Sequence, residues 1–258
     1  MKRNKVKDIL QRGGTAIGTM VTEFRSPEIG RLLAAAGFDF MVVDTEHSPH
    51  HLETLNDIMR GAKATEICPI VRVPDAEYHL MARTLDIGAQ GLMIPRVETK
   101  GTMERIIRST KYPPLGFKGY GVRPIHTDYE KIPLKELIQR LNEESLIVVQ
   151  IESKKAIEEI DDLLSVKGVD VAVIGPNDLS ISLGIPGETN HPLMTEYIER
   201  MVEGCRNRGV VSGIHLRDTE SLRRWEEKGM RFLIYSSDSR MLMSRASEAV
   251  RGLRGGDR

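Results

Sequence analysis

The chain has 258 residues, with 37 lysines and arginines against 37 aspartates and glutamates, so its formal net charge is zero. This balance removes the electrostatic argument for a nucleic-acid or anionic-membrane partner and leaves a small molecule as the expected ligand. A chain of this length can bury a substantial core, and α/β barrels commonly reach it as one domain, so we expect residues 1–258 to form a single domain.

The N-terminal segment 1–14 is charged and has no apolar centre like that of a signal peptide. No stretch of about 18 apolar residues occurs elsewhere, so we expect a cytoplasmic protein that does not span a membrane. Cys68 and Cys205 are far apart in the sequence and lack metal-type spacing. They are predicted to be buried thiols.

Eight short apolar runs rich in strand-forming residues recur along the chain, and segments with helical spacing separate them. The runs cover residues 16–20, 40–44, 68–73, 91–95, 146–152, 170–175, 210–215 and 232–237. The helical segments cover residues 27–37, 51–64, 76–88, 102–111, 154–166, 194–209, 219–229 and 239–253. Continuous apolar runs suit strands covered on both faces, as in parallel sheets. The pattern predicts an α/β fold, a (β/α)₈ TIM barrel.

Residues that typically begin or end helices agree with these predicted helix limits. Ser26 and Pro27 form a predicted N-cap and first helical residue, while Gly37, Gly88 and Gly209, together with Gly229, stand where helices should end.

The segment 111–134 contains too many glycines and prolines for a regular element. Compact domains rarely keep so long a loop without a use for it, so the segment is a candidate substrate loop.

The active site of such a barrel forms at the C-terminal ends of the strands, and this sequence places many polar residues there. In chain order they are Asp44, His47, Arg72, Gln150, Glu152, Asp178, His215, Ser236 and Ser237.

Glu152 and Asp178 follow neighbouring strands, so their carboxylates would repel each other unless a cation lies between them. Two protein carboxylates leave several coordination positions for water and substrate oxygen, which suits Mg²⁺ or Mn²⁺ better than zinc. The alternative is that each residue ends its strand with a salt bridge to a helix lysine.

The stretch GPNDLS at residues 175–180 offers backbone N–H groups at the start of a helix, which can hold a carboxylate. The alternative is that Asn177 or Asp178 is an ordinary N-cap.

His47 follows a strand by a few residues, where a histidine can transfer protons near neutral pH. His50 and His51 are interpreted as exposed residues at a helix start. Arg72 lies in a buried strand, so its charge is expected either to pair with a barrel carboxylate or to meet an anion.

Several motifs together resemble one known family. They are, in chain order, VVDTEHSP, PIVRVP, LDIGAQGLMIPRVET, YPPLGFKGYG, VVQIES and VAVIGPNDLS. This combination is similar to the HpcH/HpaI group of metal-dependent class II pyruvate aldolases, and the similarity extends from about residue 15 to residue 250.

The resemblance implies a role for the predicted acidic pair. Glu152 and Asp178 would bind a divalent metal, Mg²⁺ or Mn²⁺ with Co²⁺ as a further candidate, and Gln150 would lie close by. Arg72 would face the keto oxygen of pyruvate, and Asp44 would shape the pocket.

The resemblance also implies that His47 handles protons with Asp86, supplied by a neighbouring subunit, as its partner. The backbone of Gly175, Pro176 and Asn177 would hold the pyruvate carboxylate. The expected assembly is a homo-oligomer, a hexamer built as a trimer of dimers, in which the C-terminal helix packs on another subunit.

The expected reaction cleaves or forms a 4-hydroxy-2-keto acid, with pyruvate and an aldehyde as the other reactants. Proton removal from the 4-hydroxyl by His47 breaks the C3–C4 bond, and the cation and Arg72 stabilise the enolate. No lysine Schiff base is required.

The segment after residue 117 departs from the family. Lys118 stands where arginine is usual, and the following residues 122–132 differ from those of the semialdehyde aldolases. We assign Lys118 and Arg123 to substrate binding. Arg123, His126 and Asp128 either recognise the electrophile or are ordinary surface residues.

Two other functions compete with aldol cleavage. One is a carbon–carbon bond-forming synthase of the same fold, similar to the citrate-forming enzymes of siderophore pathways. The other is a non-catalytic barrel that binds a metabolite.

Overall fold

The predicted apolar runs form a closed barrel of eight parallel strands, each hydrogen-bonded to the next in chain order. The computed structural model describes residues 2–127 and 129–255. The strands are β1 Ala16–Val21, β2 Phe40–Asp44, β3 Cys68–Arg72, β4 Gly91–Ile94, β5 Leu146–Ile151, β6 Val171–Ile174, β7 Val211–Leu216 and β8 Phe232–Ser237. The predicted (β/α)₈ barrel is confirmed, and each predicted run agrees with its strand to within one residue at both ends.

Helices cover the outside of the barrel. They are α1 Lys5–Gln11, α2 Ile29–Ala35, α3 Leu52–Lys63, α4 Tyr78–Asp86, α5 Lys100–Thr110, α6 Leu134–Glu144, α7 Lys154–Glu158, α8 Ile160–Leu163, α9 Pro176–Ser182, α10 Pro192–Arg208, α11 Thr219–Glu227 and α12 Asp238–Leu253.

Three helix predictions need correction. Helix α1 was not predicted; the side chain of Asn4 begins it by accepting hydrogen bonds from the next backbone N–H groups. Helix α6, which begins at the last residue of the predicted loop, was also not predicted. The predicted helix 154–166 is divided at Glu159, whose backbone leaves the helical region.

Helix ends follow the glycine signals more closely than helix starts follow theirs. Gly37, Gly88, Gly209 and Gly229 all have positive φ, at 97°, 107°, 68° and 106°, which confirms them as stop signals. Helix α2, in contrast, begins at Ile29, after a turn in which the Ser26 hydroxyl accepts a hydrogen bond from the Glu28 N–H.

Apolar side chains fill the barrel interior. The rings of Phe40 and Phe232 stack with their centroids 4.1 Å apart. Gly18 lies against this pair, because a Cβ atom there would come within 2.2 Å of the Phe40 ring. The close approach of β1 to β2 therefore requires glycine at this position.

Asp238, the first residue of α12, ties the end of β8 to the loop after β1. Its carboxylate accepts hydrogen bonds from the backbone N–H groups of Thr22, Glu23 and Phe24 at 2.9–3.0 Å. Burial raises the pKa of Asp238, but these N–H groups together lower it by more, so the net pKa lies below the ordinary value.

Both cysteines are free and buried, as predicted. Burial raises the pKa of each thiol to about 12, so neither is a reactive thiolate at neutral pH. Among the described helices, none is long and apolar enough to cross a bilayer.

Candidate active site

A buried ion pair connects the ends of β2 and β3. Asp44 and Arg72 are partners in the register of these strands, and the guanidinium donates to both carboxylate oxygens at 2.8 Å. Burial raises the pKa of Asp44, but the contacts with Arg72 lower it by more, so the net pKa lies below the ordinary value and the carboxyl group stays ionised. Of the two expectations for Arg72, pairing with a barrel carboxylate is therefore confirmed.

Glu46 joins this pair from the loop after β2. Its side chain is 5 % exposed and lies 3.3 Å from Nη1 of Arg72 and 2.9 Å from Nη1 of Arg96. Burial is the main reason that the pKa of Glu46 is raised, and the arginine charges only partly offset it. The sequence left the role of Glu46 open between facing solvent and binding an arginine; the structure shows that it binds two.

Arg96, directly after β4, is a residue that the sequence interpretation missed. Its φ of 53° is unusual for a residue with a side chain. In this conformation its backbone N–H donates to Glu152 Oε1 at 2.8 Å, while its guanidinium donates to Glu46 and to the Pro74 carbonyl oxygen. Arg96 thus connects three loops of the mouth. Its position after a predicted strand was the signal that could have identified it.

His47 lies at the mouth with a largely exposed ring, and its Nε2 is 3.7 Å from Glu46 Oε2. The prediction that His50 is exposed is wrong. His50 is 7 % exposed, and its Nδ1 lies 2.8 Å from the Asp44 carbonyl oxygen, because the chain turns back over the end of β2. His51 is exposed and occupies the N-cap position of α3.

Glu152 is buried at the end of β5. Gln150 donates a short hydrogen bond to Oε2, and Arg96 donates to Oε1. A Cβ atom at position 175 would lie 2.5 Å from Glu152 Oε2 and 2.9 Å from Gln150 Nε2, so Gly175 is required for this close approach.

The charge of Glu152 is only partly compensated. Burial raises its pKa, the hydrogen bonds from Gln150 and Arg96 lower it, and the nearby carboxylates of Asp178 and Glu46 raise it again. The net pKa of Glu152 is above its ordinary value. The predicted alternative, a salt bridge from Glu152 to a helix lysine, does not occur among residues 2–127 and 129–255.

Asp178 is the third residue of α9 and is exposed. The N-cap of this helix is Gly175, so the alternative that Asn177 or Asp178 is the N-cap is wrong. Within the described chain, no hydrogen bond or ion pair engages the Asp178 carboxylate. Its oxygens are free for a ligand.

The donor set at the ends of β5 and β6 fits a hard divalent cation. Two carboxylates, one buried with a raised pKa and one without a partner, supply hard oxygen ligands and negative charge that the surrounding described residues compensate only in part. No group of three or more His, Cys, Asp or Glu side chains with metal-binding geometry occurs among the described residues. An ion held by Glu152 and Asp178 would therefore keep positions open for water and substrate.

Three further predicted residues lie at the other end of the barrel. Asp86 is the last residue of α4, which runs opposite to the strands, and its carboxylate accepts a hydrogen bond from Lys118 Nζ at 2.5 Å. Lys118 also donates to the Tyr112 hydroxyl at 3.0 Å. The Arg123 backbone hydrogen-bonds with His126, whose Nε2 lies 3.0 Å from the Leu85 carbonyl oxygen.

The predicted substrate loop 111–134 therefore does not lie over the mouth of its own barrel. Lys111 starts it by donating to the carbonyl oxygens of Asn142 and Ser145, directly before β5 begins. Because a loop that connects a helix back to a strand reaches the strand at its N-terminal end, the loop lies at the face opposite the mouth. Asp128 lies outside the described residues.

Comparison with known proteins identifies the family of this chain. The sequence profile of the HpcH/HpaI aldolase/citrate lyase family matches residues 22–244. The chain belongs to this family.

Relatives within the family extend over nearly the whole chain. The hydroxypyruvate/pyruvate aldolase of Roseovarius nubinhibens is 32 % identical over 250 residues, which are 96 % of this chain and 95 % of the relative. The crystal structure of an HpcH/HpaI aldolase from Desulfitobacterium hafniense DCB-2 superposes with a TM-score of 0.93 at 36 % identity, covering 97 % of each chain. The citrate synthase SbnG superposes with a TM-score of 0.89 at 29 % identity, covering 98 % of each chain.

Proposed function

We propose that this member of the HpcH/HpaI family is a divalent-metal-dependent pyruvate aldolase. It would cleave a 4-hydroxy-2-keto acid to pyruvate and an aldehyde, and catalyse the reverse addition. One observation carries the proposal: the mouth places the Glu152 and Asp178 carboxylates on one side and an arginine locked by Asp44 on the other. A relative of similar length is named as a hydroxypyruvate/pyruvate aldolase, which supports the same chemistry.

The residues of the chain have distinct tasks in this reaction. A divalent cation held by Glu152 and Asp178 would supply a Lewis acid for the charge that develops on the keto oxygen. Gln150 donates to Glu152 and holds its carboxylate in place. The backbone N–H groups of Asn177 and the residue after it, which start α9, would receive the carboxylate of the keto acid.

Arg72 stabilises the developing enolate charge in this proposal. A guanidinium has five N–H groups; Nε and Nη2 each donate one to Asp44, and Nη1 lies 3.3 Å from Glu46. One N–H remains on each Nη nitrogen, available to the keto oxygen. Because Asp44 fixes the plane of the guanidinium, little reorganisation is needed when charge develops.

His47 moves the proton. Its exposed ring would accept the proton of the 4-hydroxyl as the C3–C4 bond breaks, so that the bonding electrons form the enolate and the aldehyde leaves. Returning a proton to C3 of the enolate completes pyruvate. Glu46, 3.7 Å from His47 Nε2, stabilises the positive charge that the ring acquires.

Metal removal tests the proposal most directly. We expect the protein to catalyse deuterium incorporation at C3 of pyruvate in D₂O, measured by mass spectrometry. Excess chelator should slow this exchange at least about 100-fold, because a Lewis acid contributes several kcal/mol of charge stabilisation. Added Mg²⁺ or Mn²⁺ should restore it.

The same assay separates the competing functions. A non-catalytic barrel would give no exchange with any metal present. A citrate-forming synthase would consume oxaloacetate and acetyl-CoA, whereas the proposed aldolase would combine pyruvate with members of an aldehyde panel. Full exchange in excess chelator would contradict the metal dependence.

The proposal includes assembly into a homo-oligomer, a hexamer arranged as a trimer of dimers. Asp86, Lys118 and Arg123 lie at the barrel end opposite their own mouth, so they could complete only the mouth of another copy. Helix α12 supports this assembly. Asp238 is its sole buried residue, whereas Leu242 and Met243 are 59 % and 68 % exposed.

We expect light scattering to report a mass several times the 29.0 kDa of one chain. The double substitution Leu242→Glu and Met243→Glu should reduce this mass, because charges placed in an apolar contact are poorly solvated there. Asn207→Glu, on the exposed surface of α10, serves as the control and should leave the mass unchanged. A monomeric wild-type protein would contradict the assembly and the role of Asp86.

A further inference from the structure

The two sides of the mouth present charged side chains of opposite sign that are not fully paired. The acidic side, at the ends of β5 and β6, presents Glu152 and Asp178. The other side, formed by the loops after β7 and β1 and by the first turn of α12, presents Arg217, Arg25 and Arg240, all exposed. No hydrogen bond or ion pair joins these arginines to another residue of the described chain. We call Arg217, Arg240 and the imidazole of His215 on β7 the basic rim.

His215 locates the centre of the basic rim. It points from β7 into the mouth, and its Nε2 lies 2.9 Å from the Ser236 carbonyl oxygen. Since a carbonyl oxygen only accepts, the ring donates from Nε2 and presents Nδ1 as an acceptor.

The positive charge around His215 is strong enough to affect its protonation. Burial first, and then the charges of Arg72, Arg217 and Arg240, lower the pKa of His215 to about 4, although the hydrogen bond to Ser236 opposes this shift. At neutral pH the ring is therefore neutral. The charges of all three arginines act on His215, although the charge of Arg72 is already paired with Asp44 and Glu46.

The strand that carries the contact to His215 is distorted there. Ser236 has a φ of 50°, and the pairing of β1 with β8 shifts register beside it. Such irregularities turn a carbonyl group out of the ladder and are common next to functional sites. Here the turned carbonyl fixes the orientation of His215.

The carboxylates near the basic rim are engaged by other groups and do not pair with its arginines. Asp218 accepts the N–H of Ser221 as the N-cap of α11, and Asp238 is saturated by backbone N–H groups. Glu23 is exposed on the loop after β1, and with Asp218 and Asp238 it balances the charges of Arg25, Arg217 and Arg240. No ion pair within the described chain joins these carboxylates to the arginines, so the guanidinium N–H groups stay available to an anion.

From this arrangement we infer that the basic rim binds an anionic group on the aldehyde substrate, with Arg217 and Arg240 as the residues that determine specificity. The inference rests on the proposed aldolase function. The keto-acid end would lie toward Glu152 and Asp178, and the far end of the electrophile, bearing a carboxylate or a phosphate, would lie toward β7 and β8.

Matched aldehydes test the inference, with pyruvate and Mn²⁺ as the other components. One pair is 4-oxobutanoate against butanal, which isolates a carboxylate; the other is glyceraldehyde 3-phosphate against glyceraldehyde, which isolates a phosphate. The measured quantity is the ratio of kcat/KM for the anionic aldehyde to that for its neutral partner. Whichever pair gives the higher ratio identifies the anion.

We expect the double variant Arg217→Gln, Arg240→Gln to lower this ratio about 100-fold, since one charged hydrogen bond corresponds to about tenfold in affinity. The double variant Arg217→Lys, Arg240→Lys should recover most of the ratio, because it keeps both charges. Arg223→Gln, which removes an exposed arginine from α11, is the control for a lost surface charge and should leave the ratio unchanged.

Three outcomes would overturn the inference. One is an unchanged ratio in the double glutamine variant. The second is that the double glutamine variant raises KM for pyruvate as much as KM for the anionic aldehyde. That result would place the pyruvate carboxylate on the basic rim. The third is a wild-type protein without pyruvate C3 exchange, in which case the proposed function fails and the inference fails with it. Normal exchange with an unchanged ratio would reject the basic rim alone.

Discussion

Replacing Glu152 by alanine should slow pyruvate C3 exchange by at least about a thousandfold and abolish detectable Mn²⁺ binding. Losing a buried carboxylate ligand removes the cation that supplies several kcal/mol of charge stabilisation. The exchange is measured by mass spectrometry of pyruvate in D₂O, and Mn²⁺ binding by electron paramagnetic resonance. Because Glu152 also accepts the Arg96 N–H, the variant leaves a backbone donor unpaired, and its unfolding must be measured as well.

Asp178→Asn separates metal binding from folding. Asp178 is exposed and, within the described chain, contacts no hydrogen-bond or ion-pair partner, so the free energy of unfolding should change by less than about 0.5 kcal/mol. Mn²⁺ affinity should nevertheless fall at least about 100-fold. Losing a residue that only hydrogen-bonds to a metal ligand already costs about 10–100-fold in affinity, and losing the ligand itself costs more.

Glu104→Ala is the control for both variants, since Glu104 is an exposed residue of α5. It should change neither exchange nor Mn²⁺ binding. If Asp178→Asn bound Mn²⁺ as tightly as the wild type, the two carboxylates would not share an ion, and the proposed chemistry would lose its centre.

Asp44→Asn should destabilise the protein by about 3–5 kcal/mol at neutral pH, because the largely buried guanidinium of Arg72 loses the carboxylate that accepts two of its hydrogen bonds and keeps only Glu46. The asparagine amide would also present a donor toward a group that only donates. Urea unfolding at pH 7.5 measures the effect. Pyruvate exchange should fall in parallel, since Arg72 loses the contacts that hold its plane.

The effect should depend on pH in a defined direction. The pKa of Asp44 in the folded protein lies below its ordinary value of 3.8. Burial raises this pKa, but the hydrogen bonds and charge of Arg72 outweigh burial. Its ionised form therefore stabilises the fold fully above about pH 5, and this stabilisation is lost as pH falls through the folded-state pKa. The difference between wild type and Asp44→Asn should be constant from pH 8 to pH 5 and shrink below about pH 4.

Asp57→Asn on the exposed surface of α3 provides the matched control and should change stability by less than about 0.5 kcal/mol. A loss below about 1 kcal/mol for Asp44→Asn, or a difference independent of pH down to pH 3, would show that the pair contributes little to the fold.

Local patterns predicted the barrel well, for a physical reason. A strand buried on both faces must be apolar throughout, so its limits are written in consecutive residues, as in Phe40–Asp44 and Leu146–Ile151. Helix ends at Gly37 and Gly209 were equally local, since a left-handed residue follows each last turn. The ordered strands also placed Asp44, Arg72, Glu152 and the segment after β6 that contains Asp178 at one end of the barrel.

The contacts among those residues were not local. His50 was predicted to be exposed, yet it is buried against the Asp44 carbonyl oxygen because the chain folds back over β2. Glu46 and Arg96 are 50 positions apart and meet because the loops after β2 and β4 converge on the mouth. No periodicity in either segment reports such a pairing.

The sequence by itself determined the strands, most helices and the set of polar residues at the strand ends, because hydrophobic spacing and turn chemistry act over a few neighbouring positions. Only the tertiary structure decided which of these residues meet. It separated Asp86 and Lys118 from their own mouth and placed Glu46 between two arginines. Burial and charge pairing depend on distances across the barrel, and chain order alone does not contain those distances.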